Sequence, residues 1–324
     1  MHECLNYLGA APVDGPCGGS DVEILIIKSY DREVAHRGMG QPPSALEARL
    51  AVPDVTDRSL VELMSLRDRC AVVTGGARGI GHAVARRFAE AGASVCIADR
   101  DGEAAAAAAE AMAAGHGVKS VGLEVDIARS DSVDALVESV PDLLGPIDIW
   151  VNNAAIYPGA PIVDTADAKW DAVLSVDLTG TFYCCRAVAA AMTREPDRPG
   201  RVIINMSSLA GLRGRKGIGA YVSAKHGVTG LTKALALELA PAGIRVMGVA
   251  PSIVDTPGMR ERREAMTGEE RRAVEELERK LVESIPLERQ GVPDDVARMV
   301  FYCASDMATW MTGTVVPVDG GMAI

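Results

Sequence analysis

The sequence lacks the long apolar runs and the excess of positive charge that typify membrane-spanning and nucleic-acid-binding proteins. No uninterrupted apolar stretch reaches the ~18 residues of a membrane-spanning helix. The first residues, MHECLNYLGAAPVDG, contain neither a basic segment nor a long apolar one. Basic residues number 33 against 44 acidic ones, and the formal net charge is −11. We therefore expect no membrane, no secretion and no nucleic-acid partner.

Cysteine and histidine are too scattered for a disulfide framework or a metal site. The seven cysteines form no CxxC pair, and the five histidines do not form a ligand set. Cys184 and Cys185 are adjacent, but neighbouring helix positions point away from each other, which favours packing over a redox pair. These patterns predict a reduced, cytoplasmic protein that binds no metal.

The chain changes character near residue 67. Residues 1–66 consist of short apolar fragments separated by Gly- and Pro-rich segments, which we interpret as an irregular N-terminal extension. Met64 begins MSLRDRCAVVTGG, and a further hypothesis is that residues 1–63 reflect an upstream start choice. Residues 67–324 are expected to form a single domain.

From Arg69 onward, short β-branched runs alternate with longer helical patterns. This alternation is typical of βαβ units and predicts an α/β fold with a doubly wound, parallel, seven-stranded sheet. The strands are expected at 70–75, 94–99, 118–126, 147–154, 201–207, 244–250 and 314–319. The helices are expected near 80–91, 102–114, 130–143, 169–193, 221–239 and 293–304.

A highly charged segment, 258–285, falls between the last two strands. Its helical pattern and its position predict an inserted lid or wall of a substrate pocket. A solvated pair of charged helices fits the same pattern. Both interpretations stay open at this point.

The first strand runs directly into a Gly-rich turn, TGGARGIG, at residues 74–81. Gly75, Gly79 and Gly81 allow the backbone to turn tightly and to come close to a ligand. Free N–H groups and the positive end of the following helix can then face a pyrophosphate. Because the turn follows a strand and opens a helix, it predicts a dinucleotide-binding site rather than a merely tight connection.

Asp99 ends the second predicted strand, close to the spacing at which an acid binds the adenosine ribose hydroxyls. A carboxylate there repels a 2′-phosphate and favours NAD over NADP. Arg78 and Arg100 could compensate a phosphate charge, which leaves NADP open.

Tyr221 and Lys225 are four positions apart in YVSAK and share one face of a predicted helix. Oxidation of an alcohol by hydride transfer leaves a proton to be removed, and a phenol has an ordinary pKa of ~10. A nearby lysine cation and a positive nicotinamide favour the phenolate. Ser208 ends the fifth predicted strand, where a hydroxyl can hold the substrate oxygen.

As a set, these motifs resemble the short-chain dehydrogenase/reductase family over residues 67–324. The matching segments are TGGARGIG at 74–81, Asp126-Ile127, the run Asn152-Asn153-Ala154-Ala155, Ser208, Tyr221 with Lys225, the turn 251–256, and VDGG at 318–321. The resemblance implies a Rossmann fold with strand order 3-2-1-4-5-6-7 and an oxidoreductase that moves a hydride between NAD(H) and a secondary alcohol or ketone. It also implies a homodimer or homotetramer formed through the helices near 169–193 and 221–239.

The resemblance further assigns residues to a cofactor site. These are the turn residues Gly75, Arg78, Gly79, Ile80 and Gly81, then Asp99, Asp126 and Ile127 near adenine, Asn153 and Ala154 along the cleft, Tyr221, Lys225 and Pro251, and Ile253 and Thr256 near the nicotinamide carboxamide.

Two positions depart from the family pattern close to the chemistry. Asp177 stands where the family usually has an asparagine whose backbone carbonyl helps to hold a water beside the lysine. We predict a working relay with an altered pH profile, because an ionised Asp177 stabilises a charged Lys225. Ser252 follows Pro251 where glycine is usual, and its side chain either narrows the pocket, supplies a polar contact or points outward.

Other functions remain open at this stage. The same motifs serve an NADPH-dependent 3-oxoacyl reductase, and a nucleotide-sensing protein without turnover is a further alternative, although it has no need of three reacting side chains. The substrate is not identified from the sequence. Arg213, Arg215 and Lys216 either favour an anionic substrate or form a solvated loop.

Overall fold

The computed structural model describes residues 55–195 and 197–324, and not the side chain of Arg262. The described residues belong to one compact unit. The prediction of an irregular extension falls mostly on residues 1–54, outside the described residues. In this described part of the chain, no helix is both long and apolar enough to cross a membrane, and no group of three or more His, Cys, Asp or Glu side chains is arranged to hold a metal ion.

Seven parallel strands form one sheet, as predicted. They are β1 Cys70–Thr74, β2 Ser94–Asp99, β3 Ser120–Glu124, β4 Ile147–Asn152, β5 Val202–Met206, β6 Arg245–Pro251 and β7 Val315–Val318. Their order, β3-β2-β1-β4-β5-β6-β7, confirms the doubly wound fold. β1 has β2 on one side and β4 on the other, so the strand order changes direction between β1 and β4. A crevice therefore opens at the carboxyl ends of these two strands.

Ten α-helices are described. They are α1 Leu60–Met64, α2 Gly79–Glu90, α3 Gly102–His116, α4 Ser130–Leu144, α5 Asp167–Leu174, α6 Thr181–Thr193, α7 Gly219–Leu239, α8 Pro257–Ala265, α9 Gly268–Glu283 and α10 Pro293–Ala304. The charged segment 258–285 is thus a helix pair, α8 and α9, and α9 has no buried residue. The single helix predicted over 169–193 is instead interrupted, because Ser175–Gly180 forms a π-helix between α5 and α6.

Alternate strand residues face opposite layers of helices, as a period of two requires. Ala71 and Val73 of β1 pack in a buried cluster with α2, α3 and α10. Val72 faces the other way, into a cluster with α4, α6 and α7. The two apolar clusters fix the sheet between two helical layers, so the loops at its carboxyl edge can vary without loss of the core.

A buried chain of polar side chains ties β4 and β5 to α7. Trp150 Nε1 donates to Asn152 Oδ1 at 2.7 Å, and Asn152 Nδ2 donates to Asn205 Oδ1 at 2.8 Å. Asn205 Nδ2 in turn donates to Thr232 Oγ1 of α7 at 3.0 Å. Each buried amide is satisfied by the next one, so the chain holds α7 at a defined position against the sheet.

The residues before β1 contact the domain. Leu66 is fully buried in the cluster with α2. Ser59 caps the one-turn helix α1, which lies in the segment predicted to be irregular. Arg58 and Arg69 both form ion pairs with Asp306. Packing of the domain therefore begins by Leu66, beside the predicted boundary.

Candidate active site

The Gly-rich turn is closed against the end of β4. Gly75 and Gly79 have φ angles of +62° and +58°. Residues other than glycine rarely adopt this left-handed backbone conformation. A Cβ atom on Gly81 would lie 2.3 Å from the Gly75 carbonyl oxygen and 2.5 Å from Asn153 Nδ2. Asn153 Nδ2 donates to the carbonyls of Thr74 and Gly75, each at 2.9 Å. The turn thus needs glycine at these positions to keep its backbone available to a ligand.

Asn153 and Ala154 lie against this turn, and their place along the cofactor cleft stays a prediction. The Thr74 hydroxyl accepts from the backbone N–H groups of both residues. A Cβ atom on Gly75 would lie 2.8 Å from Ala154 Cα. Both residues follow the end of β4 at Asn152, although the sequence predicted that the strand continues through them.

Asp99 lies at the carboxyl end of β2 beside the same turn. One of its carboxylate oxygens accepts from Ala77 N at 3.1 Å and the other from Asp101 N at 3.2 Å. Arg78 is 61% exposed, pairs with Asp101 at 3.2 Å and lies 3.9 Å from Glu261 of α8. The position beside the turn therefore presents a carboxylate, and the nearby guanidinium already has acidic partners.

Tyr221, Lys225 and Ser208 converge at the carboxyl end of β5. Lys225, on α7, is almost fully buried, and its Nζ donates to the Met206 carbonyl at 3.0 Å. The same Nζ lies 5.5 Å from the centre of the Tyr221 ring. Ser208 accepts from Ala210 N at 3.1 Å and forms a hydrogen bond with the Tyr221 phenol. The structure thus brings the three predicted reacting groups together.

Asp177 belongs to the same cluster through Lys225. It lies in the π-helix, and its Oδ2 is 3.6 Å from Lys225 Nζ. Its Oδ1 accepts from Ile156 N at 2.8 Å, and its backbone carbonyl accepts from the Thr181 hydroxyl at 2.8 Å. π-Helices are frequent at functional sites because they alter the register of a helix. Here the altered register coincides with a carboxylate that faces the lysine.

Burial dominates the electrostatics of this pair. It raises the pKa of Asp177, and the charge of Lys225 opposes that rise. It likewise lowers the pKa of Lys225, and Asp177 opposes that fall. Each group thus supports the charged form of the other against the cost of burial.

The Tyr221 phenol has a pKa above its ordinary value. Burial raises it most, the Asp177 carboxylate raises it further, and the hydrogen bond with Ser208 lowers it. Tyr157 also packs edge-to-face on the Tyr221 ring, with ring centres 4.8 Å apart. The protein groups by themselves thus favour the neutral phenol, and the expectation that Lys225 together with a positive nicotinamide favours the phenolate stays a prediction.

The turn after β6 contacts both halves of the site. The Pro251 carbonyl accepts from Ser208 Oγ at 3.5 Å. Thr256 caps α8. Its Cβ lies 3.7 Å from the position that a Cβ atom on Gly79 would occupy. Ser252 Oγ donates to Met322 Sδ at 2.9 Å, so this departure from the family pattern makes a contact with the C-terminal segment. Ile253 accepts from Gly291 N through its carbonyl.

Asp126 and Ile127 follow β3. Asp126 Oδ1 accepts from Ala128 N at 3.0 Å, which shapes the turn before α4. Ile127 is 6% exposed, and its carbonyl would lie 2.9 Å from a Cβ on Gly180 at the end of the π-helix. Their assignment to the adenine side of the cofactor stays a prediction.

Several contacts around the site have no signal in the sequence. The edge-to-face pair of Tyr157 and Tyr221 joins a loop to a helix 64 positions away. Arg213 Nη1 donates to the carbonyl of Met322, close to the end of the chain. Neither contact follows a period or a motif, and only the fold brings these residues together.

Comparison with known proteins agrees with this geometry. A family model described as enoyl-(acyl carrier protein) reductase matches residues 75–323. The chain belongs to the short-chain dehydrogenase/reductase family. It is 38% identical over 259 residues to the 3-oxoacyl-[acyl-carrier-protein] reductase FabG of Aquifex aeolicus, a match that covers 80% of this chain and 99% of the relative.

Two further relatives match a similar length of this chain. The (2S)-[(R)-hydroxy(phenyl)methyl]succinyl-CoA dehydrogenase subunit BbsD of Thauera aromatica is 38% identical over 261 residues, covering 81% of this chain and 99% of that protein. A crystal structure of a short-chain type dehydrogenase/reductase from Mycobacterium marinum is 31% identical with a TM-score of 0.72, covering 82% of this chain and 99% of that one.

Membership makes this chain an NAD(P)-dependent oxidoreductase that acts on CH–OH or keto groups. The residues present fit a dinucleotide on structural grounds. Gly75 and Gly81 leave no room for a Cβ atom, and the turn they form begins a helix whose N-terminus favours an anion. Asp99 lies beside this turn, and the Tyr221–Lys225 pair lies at the same carboxyl edge of the sheet.

Proposed function

We propose that the protein uses NAD(H) to interconvert a secondary alcohol and its ketone, with Tyr221 as the general acid and base. The observation that carries this proposal is the convergence of Tyr221, Lys225 and Ser208 at the carboxyl edge of the sheet, the edge that also bears the Gly-rich turn. When bound, the nicotinamide ring supplies or takes the hydride. The protein groups then have to hold the substrate oxygen and move one proton.

The roles of the side chains follow from their hydrogen bonds. Ser208 is fixed at the end of β5 and can donate to the substrate oxygen. Tyr221 Oη exchanges a proton with that oxygen, taking it during oxidation and giving it during reduction. Lys225 is held against Met206 and Asp177, so its charge lies at a fixed distance from the phenol. General acid–base catalysis of this kind contributes about 10²–10⁴-fold to the rate.

We propose NAD rather than NADP as the cofactor because of Asp99. Its carboxylate lies beside the turn, where it would repel a 2′-phosphate and accept hydrogen bonds from ribose hydroxyls. An NADPH-dependent 3-oxoacyl reductase is the second candidate, and the relatives named FabG favour it. The ratio of kcat/KM values for the two cofactors distinguishes these candidates, since a strong preference for NADP would contradict the role given to Asp99.

The proposed chemistry is tested by turnover and by one substitution. Absorbance at 340 nm would follow NADH in the presence of a panel of ketones, or NAD in the presence of alcohols. Tyr221→Phe removes the proton-exchanging oxygen and little else, so we expect a loss of about 10²–10⁴-fold in kcat with cofactor affinity preserved. Wild-type turnover by the Tyr221→Phe protein, or failure of the purified protein to bind either cofactor, would refute the proposal.

We propose that the protein assembles as a homodimer or homotetramer through α6 and α7. Phe182 of α6 is 42% exposed and Leu237 of α7 is 80% exposed, so burial of these apolar side chains favours self-association. Light scattering after gel filtration measures the mass directly, and a monomer at working concentration would contradict this part. The cytoplasmic location stays a proposal too, supported by free thiols at all five cysteines that the structure describes.

A further inference from the structure

The loop between Ser208 and Tyr221 concentrates positive charge beside the reacting groups. Three basic residues, Arg213, Arg215 and Lys216, lie within four positions of it, whereas the whole chain carries a net charge of −11. The loop begins at Ser208 and ends at Tyr221, so it borders the opening to the reacting groups, here called the mouth of the site. This positive charge in a negatively charged protein either binds a specific ligand or is solvated at the tip of the loop.

Contacts on both sides hold this loop in place. Arg213 donates to the Met322 carbonyl and so ties the beginning of the loop to the C-terminal segment. The Gly217 carbonyl accepts from Ala160 N at 2.9 Å, and Ile218 pairs with Ala160 as an isolated bridge. Ile218 is buried and immediately precedes α7. The loop is therefore anchored at residues 213 and 217–218.

Arg215 lies between these anchors and is free to bind. It is exposed, and within residues 55–195 and 197–324 its guanidinium has no hydrogen bond or ion pair. Its charge nevertheless reaches the reacting phenol: burial has the largest effect on the Tyr221 pKa and raises it, whereas Arg215 lowers it. Arg213, in contrast, is already engaged by Met322.

The facing side of the mouth is apolar. Tyr157 packs edge-to-face on Tyr221 and keeps 43% of its surface exposed. Ile162 is 67% exposed, and its Cδ1 would lie 3.3 Å from a Cβ on Gly219, beside the start of α7. A molecule that fits this mouth combines an apolar body with an anionic group.

We propose that Arg215 forms an anion subsite that binds a carboxylate or phosphate group of the substrate while its carbonyl faces Tyr221. The proposal rests on the proposed oxidoreductase function and names its substrate class. A guanidinium binds both groups through two parallel hydrogen bonds, which fixes orientation as well as adding affinity. Arg215 thereby selects ketones and alcohols that carry a negative charge.

Two matched pairs of substrates test the subsite and show whether the anion that it binds is a phosphate or a carboxylate. Acetoacetyl-CoA and the acetoacetyl thioester of N-acetylcysteamine share the reacting β-keto thioester, and only the first carries phosphates. Levulinate and methyl levulinate share a ketone, and only the first carries a carboxylate. Reduction of each is followed with NADH for the wild type and for Arg215→Gln, Arg215→Lys and Lys216→Gln.

We expect Arg215→Gln to lower kcat/KM for the charged member of one pair by about tenfold or more, while the neutral member changes less than about twofold. A loss of kcat/KM on acetoacetyl-CoA shows that Arg215 binds a phosphate group of the substrate. A loss on levulinate shows that it binds a carboxylate. Arg215→Lys should recover part of the loss, because it restores the charge without the paired donors. Lys216→Gln is the matched control, as it removes an equal charge from the next residue. Equal losses for charged and neutral members, or an equal loss in Lys216→Gln, would overturn the proposal.

Calorimetric titration of the same four compounds, with NAD present, keeps this test separate from the test of turnover. If the wild type binds neither charged member more tightly than its neutral partner, the anion subsite is refuted even where turnover is observed. If a charged member binds more tightly and loses that advantage in Arg215→Gln, but no compound is reduced, the subsite stands and the proposed function fails.

Discussion

Asp177 Oδ2 and Lys225 Nζ lie 3.6 Å apart, and both side chains are almost completely removed from solvent. A carboxylate and an ammonium group are costly to bury singly, and each offsets part of that cost for the other. Asp177 also accepts from Ile156 N in the loop after β4, so the pair joins the lysine to a wall of the site. This buried ion pair is a feature of this chain, because the family usually has a neutral asparagine at position 177.

We predict that Asp177→Asn moves the pH profile of alcohol oxidation to lower pH. Burial raises the Tyr221 pKa most, and removing the second contribution, the Asp177 charge, should lower it. Deprotonation of the phenol, which limits oxidation on the acid side, then occurs at a lower pH. The Lys225 pKa, which burial lowers and Asp177 raises, also falls, so the basic limb moves the same way.

A displacement of about one pH unit in kcat/KM is expected for the Asp177→Asn protein. Asp171→Asn, on the exposed surface of α5, is the matched control and should leave the profile in place. An unchanged rate and pH dependence for Asp177→Asn would make Asp177 a bystander.

Asp99→Asn should relax the choice of cofactor. Asparagine keeps one acceptor oxygen, so it can satisfy the backbone N–H group of Ala77 or that of Asp101, and it removes the charge that repels a 2′-phosphate. We expect the ratio of kcat/KM for NAD over NADP to fall by about tenfold or more. Asp101→Asn, which frees Arg78 but leaves Asp99 charged, should change this ratio less. If the two variants behave alike, Arg78 rather than Asp99 determines the preference.

Gly81→Ala should disrupt the Gly-rich turn. The added Cβ would lie 2.3 Å from the Gly75 carbonyl oxygen, so the turn or α2 must shift. Overpacking of this kind costs about 1–3 kcal/mol, or roughly 3–10 °C in Tm for a domain of this size, and we expect weaker NAD binding as well.

The control for this substitution is Gly115→Ala in α3, where a Cβ meets nothing within 4 Å and alanine is the better helix former. Differential scanning calorimetry and cofactor titration of both variants measure the difference. Equal stability and equal affinity in the two proteins would show that the turn tolerates a side chain.

A chain that begins at Met64 should keep its activity. It loses Arg58 and most of α1, yet Asp306 keeps its ion pair with Arg69 at 2.5 Å and Leu66 stays in the core. We expect an unchanged kcat and a loss of stability within about 1 kcal/mol. A large loss of either would assign a role to residues 1–63. Intact-mass analysis of the natively produced protein shows which methionine starts it, so the hypothesis of an upstream start choice stays a prediction until then.

The strands were predictable because each is a buried β-branched run bounded by a turn. Their predicted limits agree with the structure to within about two residues. The sheet order followed from the resemblance, since periodicity does not say which strands are neighbours. The difference at 147–154 arises because Asn153 and Ala154 leave β4 to close the Gly-rich turn.

The π-helix at Ser175–Gly180 had no sequence signal. Its residues continue the apolar spacing of α5 and α6, and the altered register depends on tertiary contacts such as the close approach of Gly180 to the Ile127 carbonyl. The raised pKa of the Tyr221 phenol in the protein alone had no sequence signal for a similar reason. The YVSAK pattern shows the lysine, whereas burial and Asp177 come from distant parts of the chain.

One chain of buried hydrogen bonds limits which substitutions this sequence can accept. It consists of the side chains of Trp150, Asn152, Asn205 and Thr232. Replacing one amide with an apolar residue removes a buried hydrogen bond from its neighbours in the chain, and that penalty falls on the helix that bears the reacting phenol. A change at one of these positions therefore calls for a compensating change at its neighbour, a constraint that the loops around the mouth do not share. New specificities can arise at that rim without re-evolving the proton chemistry beneath it.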